Sequence, residues 1–250
     1  MSARVTWLGH ATVLLELSGV RLLTDPVHRA RVGHLVRDGP VPELPTGVDA
    51  VLLSHLHHDH ADIPTLRRLG DAVAVIGPRG TASALRRAHL SDVEEVGVGD
   101  VVRIAPDVRV RAVPARHDGR RMLARHPTAD ALGFVVEGTA RLYFAGDTDL
   151  FDDMACIGAD GLDVALIPIW GWGTSIGPGH MDPERAAHAA ALLRPRVAVP
   201  VHWGTFLPVG LRRRHGALLH APAGAFADRV AELAPSVRTR ILRQGEVLEV

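Results

Sequence analysis

The sequence predicts an α/β (α+β) fold, a four-layer αββα sandwich in which two mixed β-sheets face each other and helices cover the outer faces. Three observations support this prediction. Short apolar segments of strand length precede helical segments, the same rhythm occurs in both halves of the chain, and 47% of the residues are hydrophobic, which suffices for a large core. Because no segment is long and polar enough to be a linker, we expect residues 1–250 to form a single domain.

The first half opens with closely spaced strands and continues with strands and helices in alternation. A tight turn at Ser18-Gly19 is predicted between the second and third strands. The Gly/Pro-rich segment 26–48 is predicted to be irregular. The predicted strands are 4–8, 12–17, 20–24, 50–54, 72–76, 101–104 and 108–113, and the predicted helices are 62–69 and 78–90.

The second half repeats this rhythm. Strands 132–137 and 141–145 are predicted to form a hairpin around Gly138-Thr139. A helix is predicted at 183–193, with Asp182 as its N-cap and Pro183 at its first position. The remaining predicted strands are 163–168, 197–201, 238–242 and 247–250, and the remaining helix is 224–233.

Charge and composition narrow the class of protein. Lys+Arg and Asp+Glu both number 28, so the formal net charge is zero and no nucleic-acid partner is expected. The only cysteine, Cys156, excludes an intramolecular disulfide. The first nine residues lack a secretory leader pattern, and no run of about 18 apolar residues is present to span a bilayer. We therefore expect a cytoplasmic protein that acts on a small molecule, as a monomer or a homo-oligomer.

Potential metal ligands follow four of the predicted apolar strands. They are His55, His117, Asp147 and His202. Side chains projected from neighbouring strand ends converge on one rim, and strands are rigid supports. A single histidine is more often a structural residue, and a single aspartate is often a turn or cap residue. Four such residues at four strand ends predict a shared site.

The densest group of donors is the segment His55-Leu56-His57-His58-Asp59-His60. After a strand, alternation places His55 and His57 on one side, and a turn can carry Asp59 and His60 to a second position. Imidazole and carboxylate groups both suit zinc, and imidazole also suits iron or nickel. The alternative is a solvated His-rich loop or a metal-storage tract, but such tracts usually lack distant partners at strand ends.

The order of these donors resembles the metallo-β-lactamase superfamily. The resemblance is carried by His55-x-His57-x-Asp59-His60, His117, Phe144-Ala145-Gly146-Asp147-Thr148 and His202. It implies two divalent metal ions, zinc in the first place, with manganese or iron as alternatives. It further implies that one metal is held by His55, His57 and His117. The other metal would be held by Asp59, His60 and His202. Asp147 would bridge the two metals, together with a shared water or hydroxide.

Three further segments narrow the branch within that superfamily. They are Trp7-Leu8-Gly9-His10-Ala11-Thr12, Thr24-Asp25-Pro26 and Gly179-His180-Met181-Asp182-Pro183-Glu184. These segments resemble the branch that contains L-ascorbate-6-phosphate lactonases and N-acylphosphatidylethanolamine-hydrolysing phospholipases D. Zinc β-lactamases carry a cysteine ligand on the second metal, whereas Asp59 stands at that position here. Hydrolysis of antibiotics is therefore not expected to be the main role.

The chemistry that the resemblance implies is hydrolysis of a carboxylic ester, a lactone or a phosphodiester, with the shared hydroxide as nucleophile. Asp59 is a candidate catalytic residue because it can orient the nucleophile or relay a proton besides binding metal. His180 lies in a Gly/Pro-rich loop before a capped helix, and it is the candidate catalytic residue outside the ligand set. The alternatives are an iron-dependent redox enzyme of the same fold and a non-catalytic metal-binding protein.

Other residues are assigned supporting roles. His10 and Asp25 are candidates to orient the ligating histidines, with structural roles in the first sheet as the alternative. His58 is expected to point away from the metals. Three aromatic residues could form the wall of the pocket or could pack in the core, namely Trp170, Trp172 and Trp203. Four arginines around His117 could favour a phosphate group or could form a solvated face, namely Arg116, Arg120, Arg121 and Arg125.

Overall fold

The computed structural model describes residues 2–70, 72–86, 90–118 and 130–250. Its strands are β1 (Arg4–Gly9), β2 (Thr12–Leu17), β3 (Val20–Thr24), β4 (Arg31–Val32), β5 (Leu35–Arg37), β6 (Ala50–Leu52), β7 (Ala74–Pro78), β8 (Val93–Val96), β9 (Val101–Ala105), β10 (Val108–Pro114), β11 (Leu132–Glu137), β12 (Arg141–Phe144), β13 (Val164–Pro168), β14 (Val197–Val201), β15 (Phe206–Pro208), β16 (Arg238–Thr239) and β17 (Val247–Glu249). Its helices are α1 (Ile63–Leu69), α2 (Thr81–Arg86), α3 (Met154–Gly158), α4 (Pro183–Leu193), α5 (Arg212–His215) and α6 (Ala221–Leu233), with a 3-10 helix at Gly216–Leu219.

The two large sheets have the same plan. The first sheet has the order β17-β1-β2-β3-β6-β7-β8, with antiparallel pairs up to β3 and parallel pairs beyond it. The second has the order β16-β14-β13-β12-β11-β10-β9, with parallel pairs up to β12 and antiparallel pairs beyond it. Both sheets are therefore mixed, and the predicted fold class is confirmed.

The main core lies between the two large sheets. Alternate residues of each strand point inward, so β2 contributes Val13 and Leu15 while β11 and β12 contribute Phe134 and Phe144, all buried. Each such side chain contributes roughly 1.5–3 kcal/mol when it leaves water. A second apolar cluster lies under α1 and α2 on the outer face of the first sheet, and α4 and α6 cover the second sheet. None of the helices in the described ranges is long and apolar enough to cross a membrane.

Capping and turn residues in the sequence explain where several helices and strands begin or end. Asp182 caps α4, because its side chain accepts a hydrogen bond from Arg185 N at 2.8 Å, and Pro183 fits the first turn as predicted. Asp62 caps α1 in the same way, by accepting from Thr65 N at 3.2 Å. The predicted turn at Ser18-Gly19 joins β2 to β3, with φ of +50° and +81° at its two residues. Such positive φ values suit a tight hairpin turn.

Several predicted boundaries are wrong. Segment 26–48 is not irregular throughout, because it contains β4 and β5, which form a small three-stranded sheet with the distant β15. The strand predicted at 72–76 lies two residues later and includes Pro78, so the helix predicted from that residue begins only at Thr81. Helix α6 begins three residues before position 224, since Pro222 fits its first turn. The strand predicted at 238–242 ends at Thr239, and β8 and α3 are additional elements.

Candidate metal centre

Four strands carry the candidate ligands to one rim of the sandwich. Strands β6, β10, β12 and β14 lead to His55, His117, Asp147 and His202. Gly146 allows the close approach of two of these loops, since its φ is +62° and a Cβ atom there would lie 2.4 Å from Ser54 Cβ. The structure brings the four side chains together, as the strand-end argument predicts.

The first donor set consists of His55, His57 and His117. His57 Nδ1 lies 3.0 Å from His55 Nε2 and 3.2 Å from His117 Nε2. His55 is completely buried, whereas the other two are half-buried. One nitrogen from each ring lies within 4.8 Å of the other two, so the three can hold one metal ion.

The second donor set consists of Asp59, His60 and His202. His60 Nε2 lies 3.1 Å from His202 Nε2, and both nitrogens lie 3.9 Å from Asp59 Oδ2. The two histidines are 0% and 1% exposed. The chain reverses after the first set, where His60 N donates to His57 O at 3.1 Å, and this turn carries the second set to its own position.

Asp147 lies between the two donor sets. Its Oδ2 is 3.1 Å from His60 Nε2 and 3.9 Å from His55 Nε2, and its Oδ1 is 3.2 Å from His202 Nε2. The carboxylate is 2% exposed. A buried carboxylate in contact with both sets has the position of a bridging ligand.

Hydrogen bonds on the outer side fix the tautomers of three histidines. The three pairs are His60 Nδ1 to Asp25 Oδ2 at 2.7 Å, His117 Nδ1 to Gly179 O at 2.8 Å and His202 Nδ1 to Trp170 O at 2.9 Å. Carboxylate and carbonyl oxygens only accept hydrogen bonds, so each Nδ1 donates. In the neutral ring, each Nε2 therefore presents a lone pair to the donor sets.

His55 is oriented through Ser54. Ser54 Oγ donates its single hydrogen to Asp25 Oδ2 at 2.5 Å and so accepts from His55 Nδ1 at 2.9 Å. Asp25 also accepts from Ser54 N at 2.8 Å. One buried carboxylate thus orients a histidine in each donor set.

The positions of the donor atoms are suited to binding a divalent metal, whereas direct contacts between these atoms would be repulsive. With protons on Nδ1, the Nε2 atoms of neutral His60 and His202 face each other at 3.1 Å with a lone pair on each. Nitrogen ligands at about 2.0–2.1 Å from a tetrahedral zinc ion are roughly 3.3–3.4 Å apart. The separations of 3.0–3.2 Å between these nitrogens are close to that value. A cation would remove the repulsion, so these residues fit zinc or another metal that takes nitrogen and oxygen ligands.

Burial and carboxylates set the charges of the second donor set. Burial lowers the pKa of His202 well below the ordinary histidine value, which leaves it a neutral ligand. Burial also disfavours charge on His60, but three neighbouring aspartates, Asp147 the strongest, raise its pKa well above the ordinary value. Burial raises the pKa of Asp59 and Asp147, yet the surrounding histidines outweigh it and hold both pKa values well below the ordinary range. The site therefore requires positive charge, which a proton or a metal can supply.

Two N–H groups hold Asp59 from the outside. His10 Nε2 and Trp172 Nε1 donate to Asp59 Oδ2 at 3.1 and 3.0 Å. His10 lies in a left-handed turn between β1 and β2, with φ of +54°, and its backbone N–H donates to Thr205 Oγ1 at 2.6 Å. His10 lies close enough to the second set to ligate. Because its Nε2 donates to Asp59, we assign it a role outside the ligand set, in which its partner is this carboxylate and not a ligating histidine as the sequence suggests.

Comparison with known proteins decides the family. The β-lactamase superfamily domain matches residues 20–203, well over half of the chain. This chain belongs to the metallo-β-lactamase superfamily.

Relatives include proteins of matching and of greater length. A UPF0173 metal-dependent hydrolase of Caldivirga maquilingensis is 32% identical over 255 residues, which cover 98% of this chain and 96% of that protein. A protein of Mycobacterium tuberculosis is 36% identical over 226 residues, but the chain spans only 59% of its length. The N-acyl-phosphatidylethanolamine-hydrolyzing phospholipase D 1 of Caenorhabditis elegans is 31% identical over 231 residues, which cover 82% of this chain and 64% of that enzyme.

Solved structures of other metalloproteins share the fold. Igni18, a metallo hydrolase from Ignicoccus hospitalis, has a TM-score of 0.75 and 24% identity, over 100% of this chain and 99% of that one. CmlA, a diiron β-hydroxylase from Streptomyces venezuelae, has a TM-score of 0.72 and 19% identity, over 99% of this chain and 54% of that one. At these identities the likeness concerns the fold alone.

A cavity of about 410 Å³ opens beside the donor sets of this superfamily member. That volume is at the small end of the roughly 300–1,000 Å³ typical of small-molecule sites. Its floor is formed by His57, Asp59, Asp147 and His180. Its walls and rim include Val32, Leu35, Ile63, Pro64, Trp172, Arg29, His34 and His58.

His180, the predicted catalytic residue outside the ligand set, lies in contact with the donor sets. Its Nε2 is 3.3 Å from Asp147 Oδ2, and with His117 and Asp147 it forms a further group that can hold a metal ion. His180 also lines the cavity, so its predicted catalytic role stays a prediction. His58 is exposed and belongs to none of the metal-binding groups found in the described residues.

The aromatic and basic residues divide between cavity and core. Trp172 lines the cavity, whereas Trp203 stacks on Trp7 with ring centroids 5.3 Å apart and Trp170 packs against the main core. Arg116 is exposed and stacks over Phe151 at 5.7 Å, which fits a solvated face better than a phosphate site. The other candidates, Arg120, Arg121 and Arg125, lie outside the described residues.

Sequence reasoning suggested Trp172 as a residue of the cavity wall but missed the others. Arg29, Val32 and Leu35 come from the segment predicted to be irregular, and Trp172 was not expected to bind Asp59. The available signal was the pair Gly33-His34 between two short segments that contain apolar residues, which is typical of a short hairpin.

Proposed function

We propose that this protein is a metal-dependent hydrolase with two divalent metal ions, zinc in the first place, that cleaves an ester, lactone or phosphodiester bond of a small molecule. The observation that carries the proposal is the position of Asp147, whose Oδ2 lies 3.1 Å from His60 Nε2 of one donor set and 3.9 Å from His55 Nε2 of the other. Relatives described as a metal-dependent hydrolase and as a phospholipase D support the reaction class.

The ligand roles follow from the two donor sets. We assign one ion to His55, His57 and His117, the other to Asp59, His60 and His202, and Asp147 to both. When bound, the two ions would supply Lewis-acid charge and a shared water of lowered pKa as the nucleophile. The protein contributes the geometry, because the outer bonds to Asp25, Ser54, Gly179 and Trp170 hold the imidazoles before any ligand arrives.

Asp59 is the residue that we assign to proton transfer. In hydrolysis the water oxygen bonds to the acyl carbon or phosphorus, the bond to the leaving oxygen breaks, and a proton passes from the water to that oxygen. Asp59 lines the cavity, and His10 and Trp172 fix its Oδ2. A fixed carboxylate at this position can relay the proton.

We assign His180 a direct contact with the substrate. It borders the cavity and lies 3.3 Å from Asp147 Oδ2, so an N–H of its ring can reach an oxygen held beside the donor sets. A hydrogen bond there would stabilise negative charge that develops on the substrate. Substitution His180→Ala should lower turnover and leave the metal content unchanged. Loss of metal in this variant would instead make His180 a ligand.

Metal reconstitution combined with a substrate panel tests the proposal. The protein is stripped with a chelator, reloaded separately with zinc, manganese and iron, and assayed on nitrophenyl esters, lactones and bis-nitrophenyl phosphate. We expect turnover of one substrate class to return with metal and to be lost in Asp147→Asn. Asp160→Asn is the matched control, because this aspartate is 67% exposed and lies at the surface. Absence of metal-dependent turnover on every class would contradict the proposal.

The second candidate function is iron-dependent redox chemistry. CmlA, which shares the fold, is described as a diiron β-hydroxylase, and histidine and carboxylate ligands suit iron as well as zinc. Metal analysis of protein purified without added metal separates the two functions. A coloured sample with about two iron ions per chain would favour the redox function over hydrolysis.

A further inference from the structure

The side chains that line the cavity differ in polarity between its floor and its rim. The floor holds the donor sets, and the wall above it is apolar, with Leu35, Ile63 and Trp172 among its side chains. Arg29 also lines this cavity and adds a permanent positive charge to it. A ligand that fills the cavity would therefore meet metal ligands, apolar side chains and a guanidinium group.

Arg29 is held in place from two sides. Its Nη1 donates to Asp62 Oδ1 at 3.1 Å, and its backbone carbonyl accepts from Arg37 Nε at 3.1 Å. The side chain is 41% exposed, while that of Asp62 is only 4% exposed. The guanidinium is therefore fixed by a buried carboxylate but still open to the cavity. Fixed donors lose little freedom when they bind an anion, which favours recognition.

The acidic groups that line the cavity are already engaged. Asp62 Oδ2 accepts from Thr65 Oγ1 at 2.6 Å and from Thr65 N at 3.2 Å, at the N-terminus of α1. Asp59 accepts from His10 and Trp172, and Asp147 is buried among histidines. Apart from the bond between Asp62 and Arg29 Nη1, the N–H groups of Arg29 have no hydrogen-bond acceptor among the described residues, so they can bind a ligand.

We propose that Arg29 binds an anionic group on the substrate, a carboxylate or a phosphate. The apolar part of the substrate lies against Trp172 and Leu35, and the scissile bond lies at the donor sets. This inference rests on the proposed hydrolase function and adds the substrate class to it, namely a small ester, lactone or phosphodiester with an apolar body and an anionic end.

Binding of matched non-hydrolysable ligands to the metal-loaded enzyme tests this assignment. The ligands are N-phenyladipamate, its neutral primary amide and the phosphonate of the same chain length, measured by titration calorimetry. We expect each anion to bind at least about tenfold more tightly than the neutral amide, since a charge-assisted hydrogen bond is lost in the amide. The carboxylate and phosphonate arms show which anion fits better.

Two arginine variants of the same segment make the test specific. Arg29→Gln should bind the anions and the neutral amide equally. Arg31→Gln should keep the preference, because Arg31 is exposed, donates to Gly33 O at 2.7 Å and lies outside the residues that line the cavity. Arg29→Lys, which can still pair with Asp62, should keep a positive charge but reduce the preference to about threefold, because lysine lacks the planar fork of arginine. This variant decides the question if Arg29→Gln does not fold.

Two results would overturn the assignment. One is equal binding of anion and neutral amide by the wild type, and the other is a preference that survives in Arg29→Gln. Failure of the hydrolase proposal has a different signature. In that case the anion preference and its dependence on Arg29 are present, but neither mono-4-nitrophenyl adipate nor any ester, lactone or phosphodiester of the panel is hydrolysed with any metal.

Discussion

The donor sets and the cavity wall are built in different ways. The ligands stand at the ends of buried strands, and four of their imidazoles are oriented by hydrogen bonds on the outer side. The wall comes from the short strands β4 and β5, from the first residues of α1 and from the loop 171–179. The turn between β4 and β5 meets this loop where the rings of His34 and Trp172 lie edge to face at 5.0 Å. We therefore expect metal binding and substrate choice to depend mainly on separate parts of the molecule.

The largest effect is expected at Asp147, which joins the two donor sets. Asp147→Asn removes a shared negative charge without a change of size. Turnover should fall by more than the ~100-fold that is typical for loss of an outer partner, and bound metal should drop from two ions to one or none. Elemental analysis and turnover assays measure both effects. Unchanged metal content would contradict the bridging position.

Asp25→Asn tests whether an outer carboxylate tunes the centre. The variant loses the charged acceptor of His60 Nδ1 and Ser54 Oγ, so metal affinity should fall by about 10-fold to 100-fold. Competition with a chromophoric chelator measures that affinity. Asp160→Asn should bind metal like the wild type. If the two variants behave alike, Asp25 has only a structural role.

His28 lies at the start of the segment that forms the cavity wall, and its protonation is expected to make the stability of the protein depend on pH. Burial lowers the pKa of this histidine from 6.5 to about 4, so the unfolded chain takes up a proton before the folded one does. The contribution of His28 to the free energy of unfolding is therefore fully present above pH 6.5, and it is lost as the pH falls toward 4. At pH 5 the loss should be about 2 kcal/mol, or roughly 30-fold in the folding equilibrium.

Denaturant unfolding of wild type and His28→Gln between pH 7 and pH 5 measures this effect. Glutamine can still donate to Glu43 O, which accepts from His28 Nε2 at 3.0 Å, but it does not titrate. The stability difference between the two proteins should therefore shift in favour of the variant as the pH falls. The exposed His220→Gln serves as the control and should parallel the wild type. A constant difference across this range would refute the assignment.

The smallest effect is expected at Trp172, where wall and centre meet. Trp172→Phe keeps an aromatic wall but removes the N–H that donates to Asp59 Oδ2 at 3.0 Å. Metal affinity should fall by about threefold to tenfold, while metal content at saturation stays the same. Trp170→Phe is a matched control, because its indole N–H has no hydrogen-bond partner among the described residues. Equal affinities of the two variants would remove Trp172 from the support of the centre.

The centre could be predicted from the sequence because its signals are local. The strands before His55, Asp147 and His202 are short continuous apolar runs with a clear end, and the ends of neighbouring strands meet at one rim. His10 was expected to orient a ligating histidine. Its approach to Asp59 could not be predicted, since it depends on a left-handed turn at a residue other than glycine.

The wall could not be predicted because its pairing is distant. Strand β5 has three residues and pairs with β15, which lies about 170 positions later in the chain, so neither segment has a recognisable period of its own. The fixed position of Arg29 likewise depends on Asp62, the cap of a helix that follows more than 30 residues later. We therefore expect substrate choice to depend on the part of the molecule that the sequence pattern describes least well.

Anomalous diffraction from crystals of the metal-loaded protein, recorded at the absorption edge of the bound metal, tests the central claim most directly. We predict two peaks about 3.5–4 Å apart, with Asp147 between them. One peak should lie within bonding distance of His55, His57 and His117, and the other within bonding distance of Asp59, His60 and His202. A single peak, or metal bound away from these residues, would contradict the dinuclear centre.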